Sequence, residues 1–206
     1  MAKIHADYKE HLTYRSSQHT VSRVAAALNN IKGLPIGWNA PAEVKDALGG
    51  FVGYLMLDAL VSNQDRHHEN WGLIESPKHG LRLAPTFDHA SSLGRNERDN
   101  IRRERLESKD RGRGVEHYCG RARSGLYKFL KDKKALSTLV AFEEAAKKRP
   151  AAGQYWLIKL KSIRFYDFER IFSELPEEVA SPFARRFALK MLDVNQKRLL
   201  NLLEVV

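Results

Sequence analysis

The stretch that decides the fold is Asn63-Gln64-Asp65-Arg66-His67-His68-Glu69-Asn70, running into Trp71-Gly72-Leu73-Ile74-Glu75. Past a turn come Leu81-Arg82-Leu83-Ala84-Pro85-Thr86 and then Phe87-Asp88. The first eight residues are polar and follow an apolar run at 51–61, so they read as a loop leaving a helix. The two segments after them flank Ser76-Pro77-Lys78-His79-Gly80, whose proline and glycine mark a turn, and the pair reads as a hairpin. A hairpin returns the chain to near its starting point, which brings Asp88 back beside Asn70 although eighteen residues separate them.

That order gathers oxygen donors of a particular kind. Magnesium is a hard cation that takes one or two oxygens from protein and the rest from phosphates and water. Asn70 and Asp88 supply such oxygens. A separate carboxylate is needed to orient an attacking hydroxyl and accept its proton, and Asp65 stands on the same loop. This is the arrangement that phosphoryl transfer requires.

Working outward, the apolar run extends into a helix over 42–62, with Leu48, Phe51, Val52, Leu55 and Ala59 on one face. Gly49, Gly50 and Gly53 lower its propensity, so packing must hold it, and their place inside the helix makes them close-packing positions. Upstream, a helix starts near His19-Thr20 and carries Val21, Val24, Ala25 and Leu28 at helical spacing; 33–41 is a loop broken by Pro35, Gly37 and Pro41. Downstream, the arginine-rich segment 95–123 reads as irregular. Helices follow over 124–130, 137–148, 154–162 and 167–175. A last helix is announced by Ser181 as N-cap and Pro182 at the first helical position, with Phe183, Phe187, Met191 and Val194 as its apolar face. No internal repeat or low-complexity linker interrupts 1–206, which reads as one mainly α domain with a small β-hairpin.

Composition is ordinary for a globular protein, with 43% hydrophobic and 9% aromatic residues in 206. No stretch is long and apolar enough to span a membrane, and Met1 to Asp7 lacks the core of a secretory signal. The expected location is the cytoplasm, which the single Cys119 fits. That thiol sits among arginines that could lower its pKa, but it reads first as an apolar filler. The net charge of +10 suits ATP phosphates, an acidic protein or nucleic acid, since acids are interleaved with the arginines of 95–123 and no nucleic-acid motif accompanies them. A transition-metal centre from His67, His68 and His89 with Asp65 and Asp88 is disfavoured, because adjacent histidines on a turn point apart and no His-x-x-x-His pair exists. Arg66 reads equally as an ion-pair partner or a phosphate contact.

An Asp-Arg-His triplet followed by Asn resembles lipid-kinase-like loops and, more closely, the HipA family of toxin-type serine/threonine kinases. The likeness continues in Leu57-Asp58-Ala59-Leu60-Val61-Ser62-Asn63, in Asn70-Trp71-Gly72-Leu73-Ile74 and in Leu83-Ala84-Pro85-Thr86-Phe87-Asp88-His89-Ala90-Ser91-Ser92-Leu93-Gly94. It runs from about 18 to 200, with the specific motifs at 57–94. The resemblance implies a protein-kinase-like C-lobe of HipA type in which Asp65 is the catalytic aspartate, His67 supports the loop or meets phosphate, and Asn70 and Asp88 bind Mg2+ for ATP. It also implies a protein hydroxyl as acceptor and a DNA-binding antitoxin as partner, through which nucleic acid would be met. The phosphate-covering glycine loop and lysine-bearing strand of such kinases do not occur before the catalytic helix. The chain therefore reads as a C-lobe without its N-lobe, either truncated or one half of a split kinase, that needs the missing or separate N-lobe for activity. The alternative is an inactive binding module that holds nucleic acid or an acidic protein through 95–123.

Overall fold

The computed structural model describes residues 16–204. In chain order the elements are α1 (Val21–Leu28), α2 (Ala47–Val61), β1 (Leu73–Ser76), β2 (Gly80–Leu83), α3 (Asp99–Glu107), α4 (Val115–Arg121), α5 (Thr138–Ala146), α6 (Pro150–Lys161), α7 (Phe165–Ser173) and α8 (Pro182–Leu200). The fold is mainly α with one antiparallel hairpin, as the hydrophobic periodicity and turn residues require.

The central element is α2, against which α5, α6, α8 and the hairpin pack. It is shorter than the run of helix formers around it. Residues Ala42–Val44 form a separate 3-10 turn, and the Asp46 carboxylate accepts a hydrogen bond from Gly49 N at 2.8 Å, which starts the helix at Ala47. An N-cap aspartate satisfies an orphan amide that a continuing helix would have bonded itself. The expected single apolar face is replaced by burial nearly all round, from Leu48 and Phe51 to Met56 and Leu60. The glycines make that possible. A Cβ at Gly53 would collide with the Trp156 indole, whose Nε1 donates to Gly49 O at 3.0 Å and whose ring stacks on Trp38 at 5.8 Å.

β1 and β2 pair Leu73 with Leu83 and Ser76 with Gly80. Leu83 is fully buried against α2, and Tyr54 from α2 donates its hydroxyl to Ala84 O at 2.8 Å. The hairpin is thus seated on the same helix that feeds the loop before it. Leu83 N also bonds Gly33 O at 2.8 Å, so the loop after α1 props the strand from its other edge.

Four segments differ from their sequence reading. The region 95–123 holds α3 and α4, joined and flanked by non-helical residues. α3 buries none of its side chains, and its charges are spaced to pair along it: Arg102 with Asp99 at 2.6 Å and Arg103 with Glu107 at 3.2 Å. α4 is held by burial of Val115 and Cys119 against Phe187, Met191 and Val194 of α8. The segment 124–130 is not helical, because its backbone is bonded to distant chain: Tyr127 N to His19 O at 3.0 Å and Ser124 N to Leu136 O at 2.9 Å. Those pairings replace the i to i−4 bonds of a helix. α6 and α7 begin earlier than their apolar spacing indicates. Pro150 occupies the first turn of α6, and Asp167 accepts from Arg164 N at 3.0 Å at the head of α7.

Packing around Gly53 sets the sign of a substitution that helix propensity alone would misjudge. Alanine should gain up to about 1 kcal/mol in an open helix. Gly53→Ala is instead expected to lower stability by about 1–3 kcal/mol, as overpacking does, and urea denaturation with tryptophan fluorescence will measure it.

Candidate active site

The loop that follows α2 is launched from a left-handed residue. Ser62 has φ +53°, which turns the chain sharply away from the helix axis. Its conformation is held by Asn195 of α8, fully buried, whose Nδ2 donates to Leu60 O at 2.9 Å and to Ser62 Oγ at 2.8 Å. The next residue, Asn63, bonds back to the Asp58 carboxylate at 2.8 Å. A helix end that would otherwise fray is therefore locked from two sides.

Arg66 organises the rest. Its side chain is wholly buried beside the equally buried Asp58, with Nε to Oδ2 at 2.7 Å and Nη2 to Oδ1 at 2.8 Å. Nη1 donates to Asn70 O at 2.5 Å and, more weakly, to Phe87 O at 3.4 Å. Nη2 adds Thr86 Oγ1 at 3.0 Å and lies 3.4 Å from His89 Nδ1. One guanidinium thus joins α2, the loop at Asn70 and the segment entering Asp88. A group so enclosed is a structural ion-pair partner, which resolves its two sequence readings.

Asp65, His67 and Asn70 form one cluster on that frame. Asn70 is buried, and its Nδ2 donates to Asp65 O at 2.8 Å and approaches Asp65 Oδ2 at 3.4 Å. With the nitrogen committed to two oxygens, the amide oxygen is the atom that can face a cation. His67 Nδ1 accepts from Glu69 N at 3.2 Å, and Nε2 lies 3.7 Å from Asp65 Oδ1. His67 therefore flanks the Asp65 carboxylate and restricts where it can point. Asp88 is exposed, at φ +53°, between Phe87, whose carbonyl Arg66 holds, and His89, whose Nε2 meets Thr86 Oγ1 at 3.1 Å. Burial, and then the neighbouring Arg66 charge, push the His89 pKa below its usual value, which keeps the ring a neutral hydrogen-bonding partner.

The donor set matches a hard cation better than a soft one. Asn70 Oδ1 and the Asp88 carboxylate are oxygen donors at the open end of the hairpin, the number that magnesium takes when phosphates and water complete its shell. Among the described residues no group of three or more His, Cys, Asp or Glu is arranged to hold a metal ion, and His67 and His89 are occupied in the loop framework. Cys119 is buried, and burial lifts its thiol to about 11, so it is an apolar filler.

Sequence reasoning missed the wall behind the loop. His19 is fully buried; its Nδ1 donates to Gly125 O at 2.9 Å and its Nε2 accepts from Trp71 Nε1 at 2.9 Å. The indole can only donate and the carbonyl can only accept, so the tautomer is determined. Gly125 lies against the loop itself: a Cβ there would sit 2.6 Å from Arg66 O and His67 N. Asp58 did leave a sequence signal, as the one charge in the apolar run 51–61. His19, Gly125 and Asn195 left none, because the partners that tie them to the loop and its supports are distant in sequence: His19 bonds Gly125 and Trp71, 106 and 52 residues away, and Asn195 bonds Ser62, 133 residues away.

The arrangement is similar in fold to a solved kinase, reported as the crystal structure of a Helicobacter pylori proinflammatory kinase CtkA. The likeness has a TM-score of 0.57 at 19% sequence identity and covers 89% of this chain and 64% of that one. No family model matches the chain, and no curated protein matches it. Among the described residues no helix is long and apolar enough to cross a membrane. The fold is protein-kinase-like, and the chain spans about 64% of the length of the kinase structure it resembles.

Two measurements test the frame. Asp58→Ala strands a buried guanidinium and is expected to cost about 3–5 kcal/mol of stability, seen as a lower urea midpoint; a change near zero would mean that Arg66 re-solvates. His19 carries a pH signature. Burial holds its folded-state pKa at about 3 against an ordinary 6.5. Between those values the unfolded chain binds the extra proton, so stability falls as pH drops, by up to ~1.4 kcal/mol per pH unit. His19→Gln should flatten the slope between pH 6.5 and 5, above the range where most carboxylates titrate, compared with the parent chain in matched denaturant melts.

Proposed function

We propose that this chain is the C-terminal lobe of a HipA-type serine/threonine kinase. Asp65 orients the acceptor hydroxyl of a protein and takes its proton, while His67 holds that carboxylate in place. Asn70 Oδ1 and the Asp88 carboxylate bind magnesium, which when present neutralises charge on the phosphates of ATP. The acceptor oxygen bonds to the γ-phosphorus as the bond to the β–γ bridging oxygen breaks; ADP leaves with that electron pair, and the hydroxyl proton passes to Asp65. The observation that carries this reading is the shared guanidinium: Arg66 binds the main chain of Asn70 and of Phe87, the neighbour of Asp88, at once.

Parts that cover ATP are not among the described residues, whose only sheet is the two-stranded hairpin. We infer that an N-lobe, on a longer chain or a separate subunit, supplies them, and that a DNA-binding antitoxin is a further partner, as the resemblance implies. Full transfer activity accordingly needs that N-lobe, with cytoplasmic ATP and protein as substrates.

The test compares two carboxylate variants in Mg-ATP calorimetry and in labelled-ATP transfer with the neighbouring reading frames co-expressed. Asp65→Asn should retain Mg-ATP binding and lose transfer by about a hundredfold or more. Asp88→Asn should weaken Mg-ATP binding, and asparagine tolerates the left-handed backbone at 88, so folding is spared. Transfer by Asp65→Asn at the parent rate would reject the assignment.

A further inference from the structure

Two adjoining clefts, of about 420 Å³ and about 330 Å³, open beside the catalytic loop and share Gln64 and Tyr118 in their walls. They touch the loop on two sides. Gln64 precedes Asp65, and its backbone N–H reaches Ser91 O at 3.4 Å, a residue that lines the smaller cleft. Ala122 lines the larger one, and the chain continues from it to Gly125, which lies against Arg66 and His67. Whatever fills these clefts meets Gln64, the residue before the aspartate assigned to the acceptor hydroxyl.

Their charge is one-sided. Arg105, Arg113, His117 and Arg121 line the larger cleft with no acid among its walls, and Arg95 lines the smaller one with Glu97. Glu97 is already bound to Arg105 at 3.2 Å, and Arg105 also lies over the Tyr118 ring at 4.9 Å. That subset is structural. The others remain available. Arg113 is 70% exposed and has only long pairs, to Glu104 at 3.7 Å and Asp110 at 3.8 Å. Among the described residues Arg95 and Arg121 make no ion pair, and both are exposed. Exposed pairs of the Arg113 kind hold by only about 0–1 kcal/mol, so an incoming carboxylate can displace them.

We propose that these clefts form the acceptor-binding site for an acidic protein segment, one in which glutamate or aspartate flanks the hydroxyl to be modified. This rests on the phosphotransfer reading and names its substrate class. A protein segment fits better than nucleic acid for two reasons. Tyr118 is packed edge-on against Phe187 at 5.3 Å and covered by Arg105, so it offers no face on which a base could stack. The available cations are also few, Arg95, Arg113 and Arg121 with His117, which suits a few discrete carboxylates better than a continuous phosphate backbone.

The experiment is fluorescence anisotropy of the chain with labelled peptides carrying a central serine flanked by glutamates, by alanines or by lysines, and with a labelled single-stranded oligonucleotide. No ATP is present, so binding is read apart from transfer. The glutamate peptide should bind about tenfold more tightly than the alanine peptide, and less tightly as salt rises. The double variant Arg113→Ala with Arg121→Ala should lose that preference, and Arg113→Glu with Arg121→Glu should shift it to the lysine peptide. Arg164→Ala, at the N-cap of α7, 76% exposed and in the wall of neither cleft, should leave it intact. Equal affinity for glutamate and alanine peptides, or indifference to the double variant, would overturn the proposal. So would an oligonucleotide that binds more tightly than the glutamate peptide and is lost in the same variant. Peptide preference without any transfer in the reconstituted assay sinks the phosphotransfer reading alone; transfer blind to flanking charge sinks the substrate class alone.

Discussion

A guanidinium carried into a protein interior needs an anion and a full set of acceptors, because desolvation otherwise outweighs everything gained by burying it. Arg66 meets that demand with Asp58 and with oxygens drawn from two other parts of the chain. The requirement works in both directions. The charge is tolerable only if the loop and the segment before Asp88 fold around it, and those two segments acquire a fixed relation only because the charge sits between them. Breaking the pair by removing one partner is the costly operation, which is why Asp58 matters to residues it never touches.

The same economy of position explains α2. A helix with three glycines is a poor helix on its own account. Here the absence of side chains at Gly50 and Gly53 lets Leu83 and Trp156 approach the helix closely, and burial of the surrounding apolar residues holds what propensity does not. The hairpin is seated through Leu83 and Tyr54, and α8 fastens the helix end through Asn195. Rigid support on three sides presents Asp65 and Asn70 on a short loop whose backbone has few other options. The function we propose would depend on that stiffness, since two oxygens for a cation and one for an acceptor would have to keep their relation without a ligand to organise them.

Much of the fold was legible where the cause was local. Thr20, Ser137 and Ser181 announce helix starts, and each does cap its helix through its own hydroxyl. Gly80, at φ +65°, and Pro77 mark the hairpin turn. Where the sequence misled, the competing influence was distant. Residues 124–130 have helical spacing, yet their amides bond to His19 and Leu136. The arginine-rich stretch looked irregular because its apolar residues are few, yet α4 needs only Val115 and Cys119 to dock on α8. The loop residues Asp65, His67, Asn70 and Asp88 could be singled out because their types and order carry the chemistry, whereas the residues that hold them in place carry none by themselves.

By itself the sequence determined the order of helix, polar loop, hairpin and aspartate, since hydrophobic period, turn chemistry and caps act between residues near one another in the chain. It also singled out Asn70 and Asp88 as the oxygen donors that we propose for a hard cation. Only the tertiary structure decided that Arg66 is an internal tie rather than a phosphate contact, that His19 is a neutral strut, and that the arginines of 95–123 divide into paired and available sets. Those outcomes depend on burial and on partners up to 106 residues apart. Desolvation and long-range hydrogen bonding are properties of the folded surroundings, and no local pattern of residue types encodes them.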